Sequence, residues 1–396
     1  AVSVNKADAA LPLFKTALQE KPSIEQYWMS YTDALVKNNK LKDAKKAIRD
    51  AKKNGFDTTK MQALLSQEKE RVDLKKPSEK QLSCLFEYYQ NGNYDGAEKL
   101  AISIIRKFPE HQVVWKILAA VLKKVGRVDE SLVACRHSVL LAPQDAEANY
   151  NLGNTLKELG RLGEAEISYT HAITAKADFA LAYSNLGNTL HELGRLDEAE
   201  KSHKQAITIA PDDALAHFNL GVTLRELGRL DDAEACYTKA IVLVPSFAEA
   251  YNNLGLTLQD FGRIDEAKAS FSQAIVLKPD YAEAHFNFGN SLLNLERLDE
   301  AEASYTRATT LKPDFIEAHY NLGSLLLKRE KFYAAEASLT RVISLKPDYA
   351  EAHTNLGLTL NNLGKLEKSV ASYKQAIALK ADYALAHSNL GALLLD

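Results

Sequence analysis

Cysteine, tryptophan and methionine are scarce in this sequence, whose 396 residues include three Cys, two Trp and two Met. The cysteines, Cys84, Cys135 and Cys236, are odd in number and far apart, which excludes a Cys-x-x-Cys metal or redox motif. They are typical of small buried hydrophobic side chains in a reducing compartment, which favours a cytoplasmic protein. Because the chain begins with Ala1 rather than Met, a removed leader stays an open alternative.

An excess of charge of either sign and a long apolar run are also missing. The net charge is −3, so a surface that neutralises nucleic-acid phosphates is not expected. No window approaches the roughly 18 apolar residues of a membrane span. The sequence has no Gly-rich phosphate loop, no Gly-x-Ser-x-Gly and no Gly-x-Gly-x-x-Gly after a strand. We therefore predict a protein that is not an enzyme, with no cofactor, no nucleic-acid partner and no membrane span.

One segment is repeated many times. The tripeptide Asn-Leu-Gly recurs at a constant interval, with Phe288 in place of Leu in one copy. If this Asn is numbered position 6, full repeats cover 146–179, 180–213, 214–247, 248–281, 282–315, 316–349 and 350–383. The asparagines of this ladder are Asn151, Asn185, Asn219, Asn253, Asn287, Asn321, Asn355 and Asn389.

The spacing of apolar residues within a repeat predicts two amphipathic helices. Apolar or small residues occupy positions 7, 8, 11, 20, 24 and 27, which are steps of three and four on each helix. In repeat 282–315, Asp299 and Glu300 complement the positive end of the second helix, and Pro313 ends it. We predict an all-α fold, an α-solenoid of tandem 34-residue helix-turn-helix repeats in which each copy buries its neighbour's apolar face.

This pattern resembles the tetratricopeptide repeat family. The signature residues in repeat 214–247 are Leu220, Gly221, Ala233, Tyr237, Ala240 and Pro245. Leu224 departs from the signature because an aromatic residue is usual at position 11. The resemblance implies a right-handed superhelix whose first helices line a concave groove and whose second helices form the convex wall.

The repeats become less regular towards the start of the chain, and position 24 of repeat 112–145, for example, holds Cys135. The register also breaks after residue 58, where the segment 59–77 is inserted. The predicted organisation is a degenerate half-repeat and a repeat in 1–58, an extra helix and linker in 59–77, two degenerate repeats in 78–145, seven regular repeats in 146–383, and the first helix of a further, incomplete repeat in 384–396.

The asparagine ladder is the strongest candidate for a binding site. Positions 2, 5, 6, 9, 12 and 13 share the face of the first helix that lies opposite its packing positions. An amide offers both a donor and an acceptor, so it can bind a peptide main chain whatever its side chains. The ladder is similar to that of the superhelices of O-linked N-acetylglucosamine transferases, which implies a protein or extended peptide in the groove. The alternative is a structural Asn, since this residue is common at position 6 throughout the family.

Two other functions of the repeated positions are excluded by their spacing and composition. Five histidines share position 4, namely His217, His285, His319, His353 and His387. One His per repeat cannot converge on one zinc ion, whose ligands all lie about 2 Å from the metal, so we interpret position 4 as a packing position. Binders of chaperone tails in this family place Lys at position 5, which here holds no Lys. The glutamates at position 2 are expected to repel an acidic tail.

The leading hypothesis is a non-catalytic protein–protein interaction scaffold. One alternative, implied by similar bacterial repeat arrays that precede transferase domains, is a substrate-presenting arm of a larger glycosyl-, sulfo- or methyltransferase. Another is a filament subunit that associates head to tail, because a second helix without its first begins the chain and a first helix without its second ends it. The residues predicted for that contact are Ala10, Phe14, Ala17, Leu390, Leu393 and Leu394.

Overall fold

The computed structural model describes residues 2–73 and 76–395, which form twenty-three α-helices and no strand. None of these helices is both long and apolar enough to cross a bilayer. The helices are α1 Val2–Glu20, α2 Glu25–Lys37, α3 Leu41–Lys53, α4 Thr59–Asp73, α5 Glu79–Gln90, α6 Tyr94–Lys107, α7 Gln112–Lys124, α8 Val128–Leu141, α9 Ala146–Glu158, α10 Leu162–Ala175, α11 Ala180–Glu192, α12 Leu196–Ile209, α13 Ala214–Glu226, α14 Leu230–Leu243, α15 Ala248–Asp260, α16 Ile264–Leu277, α17 Ala282–Asn294, α18 Leu298–Leu311, α19 Ile316–Lys328, α20 Phe332–Leu345, α21 Ala350–Asn362, α22 Leu366–Leu379 and α23 Ala384–Leu395.

These helices belong to two compact units, unit 1 (residues 1–175) and unit 2 (residues 176–396). In unit 2 every helix from α11 to α23 packs against the next one, and first helices of neighbouring repeats also touch, as α11 does with α13 and α19 with α21. The prediction of an all-α solenoid of tandem helix pairs is therefore confirmed. Residues 1, 74, 75 and 396 of the predicted segments 1–58, 59–77 and 384–396 lie outside the described residues.

A close approach of two helices defines the core of each repeat. Position 24 on the second helix holds a fully buried large side chain, such as Tyr169 or Tyr305. Glycine at position 8 of the first helix faces this ring, and a Cβ on Gly153 would lie 2.6 Å from the ring of Tyr169. A real side chain cannot approach so closely, so the ring at position 24 requires glycine at position 8. Positions 20 and 27 are buried as well, and in repeat 282–315 they hold the completely buried Ala301 and Ala308.

The turn between the two helices of a repeat needs one residue in the left-handed region. Position 15 provides it, with φ of 75° at Gly262. Glycine adopts this conformation without steric cost. In two repeats a glutamate takes its place, with φ of 57° at Glu296 and 58° at Glu330. A left-handed conformation costs a residue with a Cβ about 1 kcal/mol or more, so these two turns are less favourable than the others.

Ion pairs join neighbouring repeats near the same turn. Arg263 pairs with Glu266 of its own repeat at 2.7 Å and with Glu234 of the preceding repeat at 2.8 Å. Arg229 makes the equivalent pairs with Asp232 and Glu200. These side chains are partly exposed, so each pair contributes at most about 1 kcal/mol.

Candidate functional site

The asparagine ladder lies on the first helices, and in the described residues none of its members is fully exposed. Asn287 is 9% exposed and counts as buried, whereas the other seven are half-buried. Asn151 belongs to unit 1, and the seven from Asn185 to Asn389 belong to unit 2. Part of each of these side chains is therefore shielded from solvent by protein atoms.

Several ladder amides are bound to the preceding repeat. The Nδ2 of Asn321 donates to the Oδ1 of Asn290 at 3.0 Å, and the Tyr305 hydroxyl donates to the same oxygen at 2.7 Å. The Nδ2 of Asn355 donates to the Ser324 hydroxyl at 3.1 Å. In both cases position 6 is tied to position 9 of the repeat before it. The ladder therefore contributes to packing between repeats. This is the structural role that the sequence analysis gave as the alternative to ligand binding.

The same contacts orient the amides. An Asn side chain has two donor hydrogens and an acceptor oxygen with two lone pairs. A bond to the preceding repeat uses only part of that capacity and restricts the side-chain torsions. A side chain that is already fixed loses less entropy when it binds a ligand. The ladder is thus compatible with a structural and a binding role at once.

A row of aromatic pairs runs beside the ladder in unit 2. Position 5 of the first helix and position 34 of the same repeat bring two rings together, with centroids 5.0 Å apart for Phe286 and Phe315 and 4.9 Å apart for Tyr320 and Tyr349. All four rings are half-buried. Phe286 also contacts the buried ring of Tyr305 at position 24, so the row is anchored in the core. It offers apolar surface next to the amides.

Lysines at position 31 cover these rings and neutralise the glutamates at position 2. The Lys312 Nζ lies 4.8 Å from the ring centroid of Phe315 and 2.8 Å from the Oε1 of Glu283. The hydrogen bond that Lys312 donates to Glu283 lowers the pKa of this carboxyl group, although burial acts in the opposite direction. Lys278 makes the same pair with Glu249 at 2.9 Å. Sequence reasoning missed these pairs, whose signal is the joint recurrence of Glu at position 2 and Lys at position 31 of one repeat.

The position-4 histidines have a local structural role. The Nε2–H of His285 donates to the carbonyl oxygen of Pro279 at 3.1 Å, and that of His319 donates to Pro313 at 3.2 Å. The indole of Trp115 makes the same bond to Pro109 at 2.8 Å. Burial lowers the pKa of His285 and of His319. Position 4 thus holds a large side chain with a donor for the loop carbonyl, and in the described part of the chain no group of His, Cys, Asp and Glu could hold a metal ion.

The residues predicted for an end-to-end contact lie on α1 and α23. Phe14 is half-buried and packs against the cluster that contains Leu35 and Ala44 of its own chain. Ala10, Ala17, Leu390 and Leu393 are also half-buried, whereas Leu394 is 67% exposed. Head-to-tail association stays a prediction, and so does the arm of a larger transferase.

Family models identify the class of protein. Residues 142–356 match the model of the cilia and flagella-associated protein 70 C-terminal domain, and residues 359–396 match a tetratricopeptide repeat model. The first match covers more than half of the chain, so the chain belongs to this family of tetratricopeptide repeat proteins. The resemblance recognised from repeat 214–247 is confirmed.

Solved structures are similar in fold. One is Pseudomonas aeruginosa pilF, with 19% identity and a TM-score of 0.50 over 54% of this chain and 97% of that chain. Another is a chain of the APC/C hetero-tetramer Cut9–Hcn1, with 14% identity and a TM-score of 0.50 over 98% of this chain and 82% of that one. A third is YrrB, described as a TPR protein with an unusual peptide-binding site, with 26% identity and a TM-score of 0.44 over 48% and 97%. No curated protein matches the sequence.

The solved structures show the same fold, and the family models identify the class of protein. The fold is that of a tetratricopeptide repeat scaffold, a class whose typical role is protein–protein interaction. Families of this repeat are generally non-catalytic.

Proposed function

We propose that this chain is a non-catalytic interaction scaffold that binds an extended polypeptide along the first-helix face of unit 2. One observation carries the proposal. Along helices α11 to α23, an amide at position 6 recurs once in every repeat, and in repeats 214–247, 282–315 and 316–349 an aromatic pair such as Phe286 with Phe315 lies beside this amide. In these three repeats the face therefore presents an amide and an apolar pair side by side.

The spacing of the amides suits an extended chain. Neighbouring first helices that touch have axes about 8–10 Å apart. An extended polypeptide advances about 3.3 Å per residue, so one ladder amide would meet the ligand roughly every three residues. Donor and acceptor in the same side chain allow a bond to either main-chain group. The amide can therefore bind a peptide with little dependence on its sequence.

The aromatic pairs and the Lys–Glu pairs supply the second half of the surface. The half-buried rings of Phe286 and Phe315 can contact apolar side chains of the ligand, which gives affinity that the amides alone do not. Because Glu283 is already paired with Lys312, the face carries less uncompensated negative charge than its glutamates suggest in the sequence. We expect ligands of mixed or neutral charge rather than strongly basic ones.

The test begins with a random library of displayed linear peptides, from which peptides that bind the purified chain are selected. Their dissociation constants are then measured by calorimetry for the wild type and for a variant with Asn253→Ala and Asn321→Ala. We expect at least a tenfold loss, because two amide contacts are removed. The control, Gln205→Ala with Gln375→Ala, removes two exposed amides from the second helices α12 and α22 and should bind as the wild type does.

Thermal unfolding of each variant separates binding from folding. The proposal requires that the asparagine variant remains folded at the assay temperature while its affinity falls. Equal affinity of the asparagine variant and the wild type would contradict it, and so would a loss of similar size in the control variant. A library that yields no binding peptide would contradict it as well.

A further inference from the structure

Helix α3 of unit 1 carries a row of basic side chains on its solvent face. Its buried residues recur in steps of three and four between Ala44 and Ala51, which defines the face that packs against the core. Six basic residues recur in the same steps on the opposite face, and each of them is exposed. They are called the α3 stripe and are Lys42, Lys45, Lys46, Arg49, Lys52 and Lys53.

The charge of the α3 stripe is largely uncompensated. Among the described side chains, Lys53 is the one member of the stripe that forms an ion pair, with Asp50 at 3.7 Å. Arginines beside the second helices of unit 2 differ, since Arg263 pairs with Glu234 and Glu266 of two successive repeats. The other cations of the α3 stripe have no carboxylate partner within the part of the chain that the structure describes.

The α3 stripe lowers the stability of its own helix. Three pairs within it are four residues apart, the spacing at which like charges on a helix repel each other. Lys42 also lies in the first turn, at the positive end of the helix dipole, where Asp299 stands in α18. Lys45 occupies the position at which Glu234 of α14 binds an arginine of the next repeat. Such a row of cations is expected where an anionic partner compensates the repulsion on binding.

The length and the surroundings of the α3 stripe favour a short anionic partner. Its two ends, Lys42 and Lys53, lie roughly 16 Å apart along the helix, at about 1.5 Å per residue. About five residues of an extended polypeptide span this distance, at about 3.3 Å each. The whole chain has a net charge of −3 although the stripe is positive, so the rest of the chain is net acidic. A nucleic acid that extends beyond α3 would therefore be repelled, whereas a short acidic peptide would not.

The same face of α3 disfavours a membrane surface. Helices that lie on a bilayer insert large apolar side chains beside their basic ones. All residues of α3 belong to the described part of the chain, and none of its large apolar side chains is exposed. The stripe therefore offers charge without an apolar anchor.

We propose that the α3 stripe binds a short acidic segment of a polypeptide partner, whose carboxylates pair with its lysines and its arginine. Arg49 can hold a carboxylate through two parallel hydrogen bonds, and the lysines around it act as mobile point charges. The complementarity of charge carries this assignment. It goes beyond the proposed function, because α3 belongs to unit 1 and the asparagine face of unit 2 takes no part in it.

The probe is a fluorescent octaglutamate peptide, whose binding to the full chain is measured by anisotropy at about 50 mM salt. The stripe variant combines Lys45→Gln, Arg49→Gln and Lys52→Gln. We expect it to bind the peptide roughly tenfold more weakly or worse than the wild type, because several exposed charge pairs are lost together. Added salt should weaken the binding of the wild type more than that of the variant, since screening acts on the charges that the variant lacks.

The control neutralises three exposed lysines on separate second helices of unit 2, with Lys201→Gln, Lys239→Gln and Lys374→Gln. It changes the net charge of the chain by the same amount as the stripe variant does. It should therefore bind octaglutamate within about twofold of the wild type if the local stripe is the site. The stripe variant should stay folded, because its substitutions relieve repulsion within α3, and circular dichroism verifies this.

Two other polyanions test the class of partner, namely an oligothymidylate of similar charge and vesicles that contain phosphatidylserine. We expect octaglutamate to bind more tightly than either at the same salt concentration. Tighter binding of the oligonucleotide or of the vesicles, dependent on the stripe, would overturn the assignment to a polypeptide. Failure of the wild type to bind octaglutamate, undiminished binding by the stripe variant, or an equal loss in the control would overturn the stripe as the site.

Discussion

Gly221 of α13 lies so close to Tyr237 of α14 that a Cβ on the glycine would be 2.7 Å from the tyrosine ring. Tyr237 is 1% exposed, and its ring has no open space into which it could move. Gly221 is helical, so its conformational freedom is not the reason for its presence. The glycine is required because the ring occupies the volume of its side chain.

The first prediction concerns that contact. Gly221→Ala should lower the free energy of unfolding by about 1–3 kcal/mol, the usual cost of overpacking, despite the better helix propensity of alanine. The measurement is urea unfolding followed by circular dichroism. Gly163→Ala is the matched control, since a Cβ there meets no atom within 4 Å. It should be neutral or stabilising, and a similar loss in both variants would contradict this explanation.

Positions 8 and 24 of repeat 112–145 hold Ala119 and Cys135, and adding Tyr237→Cys to Gly221→Ala reproduces this pair in another repeat. Tyr237→Cys alone leaves a cavity, with an expected cost of about 3–5 kcal/mol, as for other large-to-small core changes. The added alanine then meets no ring, so the double variant should be less destabilised than the sum of the two single variants. Additive effects in this double-mutant cycle would show that the two positions do not interact.

The second prediction concerns the two glutamates with positive φ. Glu296→Gly and Glu330→Gly should each raise the free energy of unfolding by about 0.5–1 kcal/mol, because glycine removes the strain of the left-handed region. Gly262→Ala, at the equivalent turn, is the reverse control and should lower it by about 1 kcal/mol. Urea unfolding of the three variants provides the comparison. Destabilisation by both glycine substitutions would show that the glutamate side chains contribute more than their strain costs.

The fold could be predicted because steric demands recur in register. Gly221, Ala233 and Tyr237 occur with the same spacing in repeat after repeat, and each of these residues is buried in the structure. Sequence alone also showed that Cys135 departs from the pattern. It did not show how the core is packed there, because that depends on how close α7 and α8 lie when a small residue takes the place of the ring.

The functional face could be predicted only in part. Position 6 was recognised as a ladder, but the bond from Asn321 to Asn290 joins residues of different repeats that no helical periodicity relates. The ion pair of Glu283 and Lys312 was missed because its partners lie at opposite ends of one repeat, which helical periodicity does not relate either. The bond from Asn321 to Asn290 depends on the rotation of one helix pair against the next, which the spacing of apolar residues does not determine.

The third prediction separates two members of the ladder. The Nδ2 of Asn287 donates to the Oδ1 of Asn252 at 3.0 Å in a buried contact. Asn287→Ala should therefore lower the free energy of unfolding by about 1–3 kcal/mol, because Asn252 would be left with an unsatisfied buried acceptor.

Asn219 is the matched comparison within the ladder. Its Nδ2 is buried and has no hydrogen-bond partner in the described part of the chain. Asn219→Ala removes that unsatisfied donor and improves helix propensity, so it should be neutral or stabilising. Both variants are measured by urea unfolding under one set of conditions. Equal losses of stability in the two would refute a structural role based on the bond to Asn252.

The fourth prediction concerns pH and the position-4 histidines. Burial lowers the pKa of His285 and His319 below their usual value of 6.5 in the folded chain. In the unfolded chain both imidazoles take up a proton as the pH falls through about 6.5, whereas the folded chain resists protonation. The unfolded state then binds more protons than the folded state. The free energy of unfolding should therefore fall as the pH is lowered below about 6.5, whereas above about pH 6.5 the two neutral imidazoles should cause no loss of stability.

Asparagine is the control substitution for both histidines, because this chain already uses it at position 4. The Nδ2 of Asn149 donates to the Pro143 carbonyl at 2.8 Å, as the imidazoles do to Pro279 and Pro313. His285→Asn with His319→Asn keeps the donor and removes the titration. Urea unfolding between about pH 7.5 and pH 5.5 should therefore show a smaller loss of stability for this variant than for the wild type. Parallel curves would mean that groups other than these two imidazoles govern the acid sensitivity, whereas a flatter curve for the variant would assign it to them.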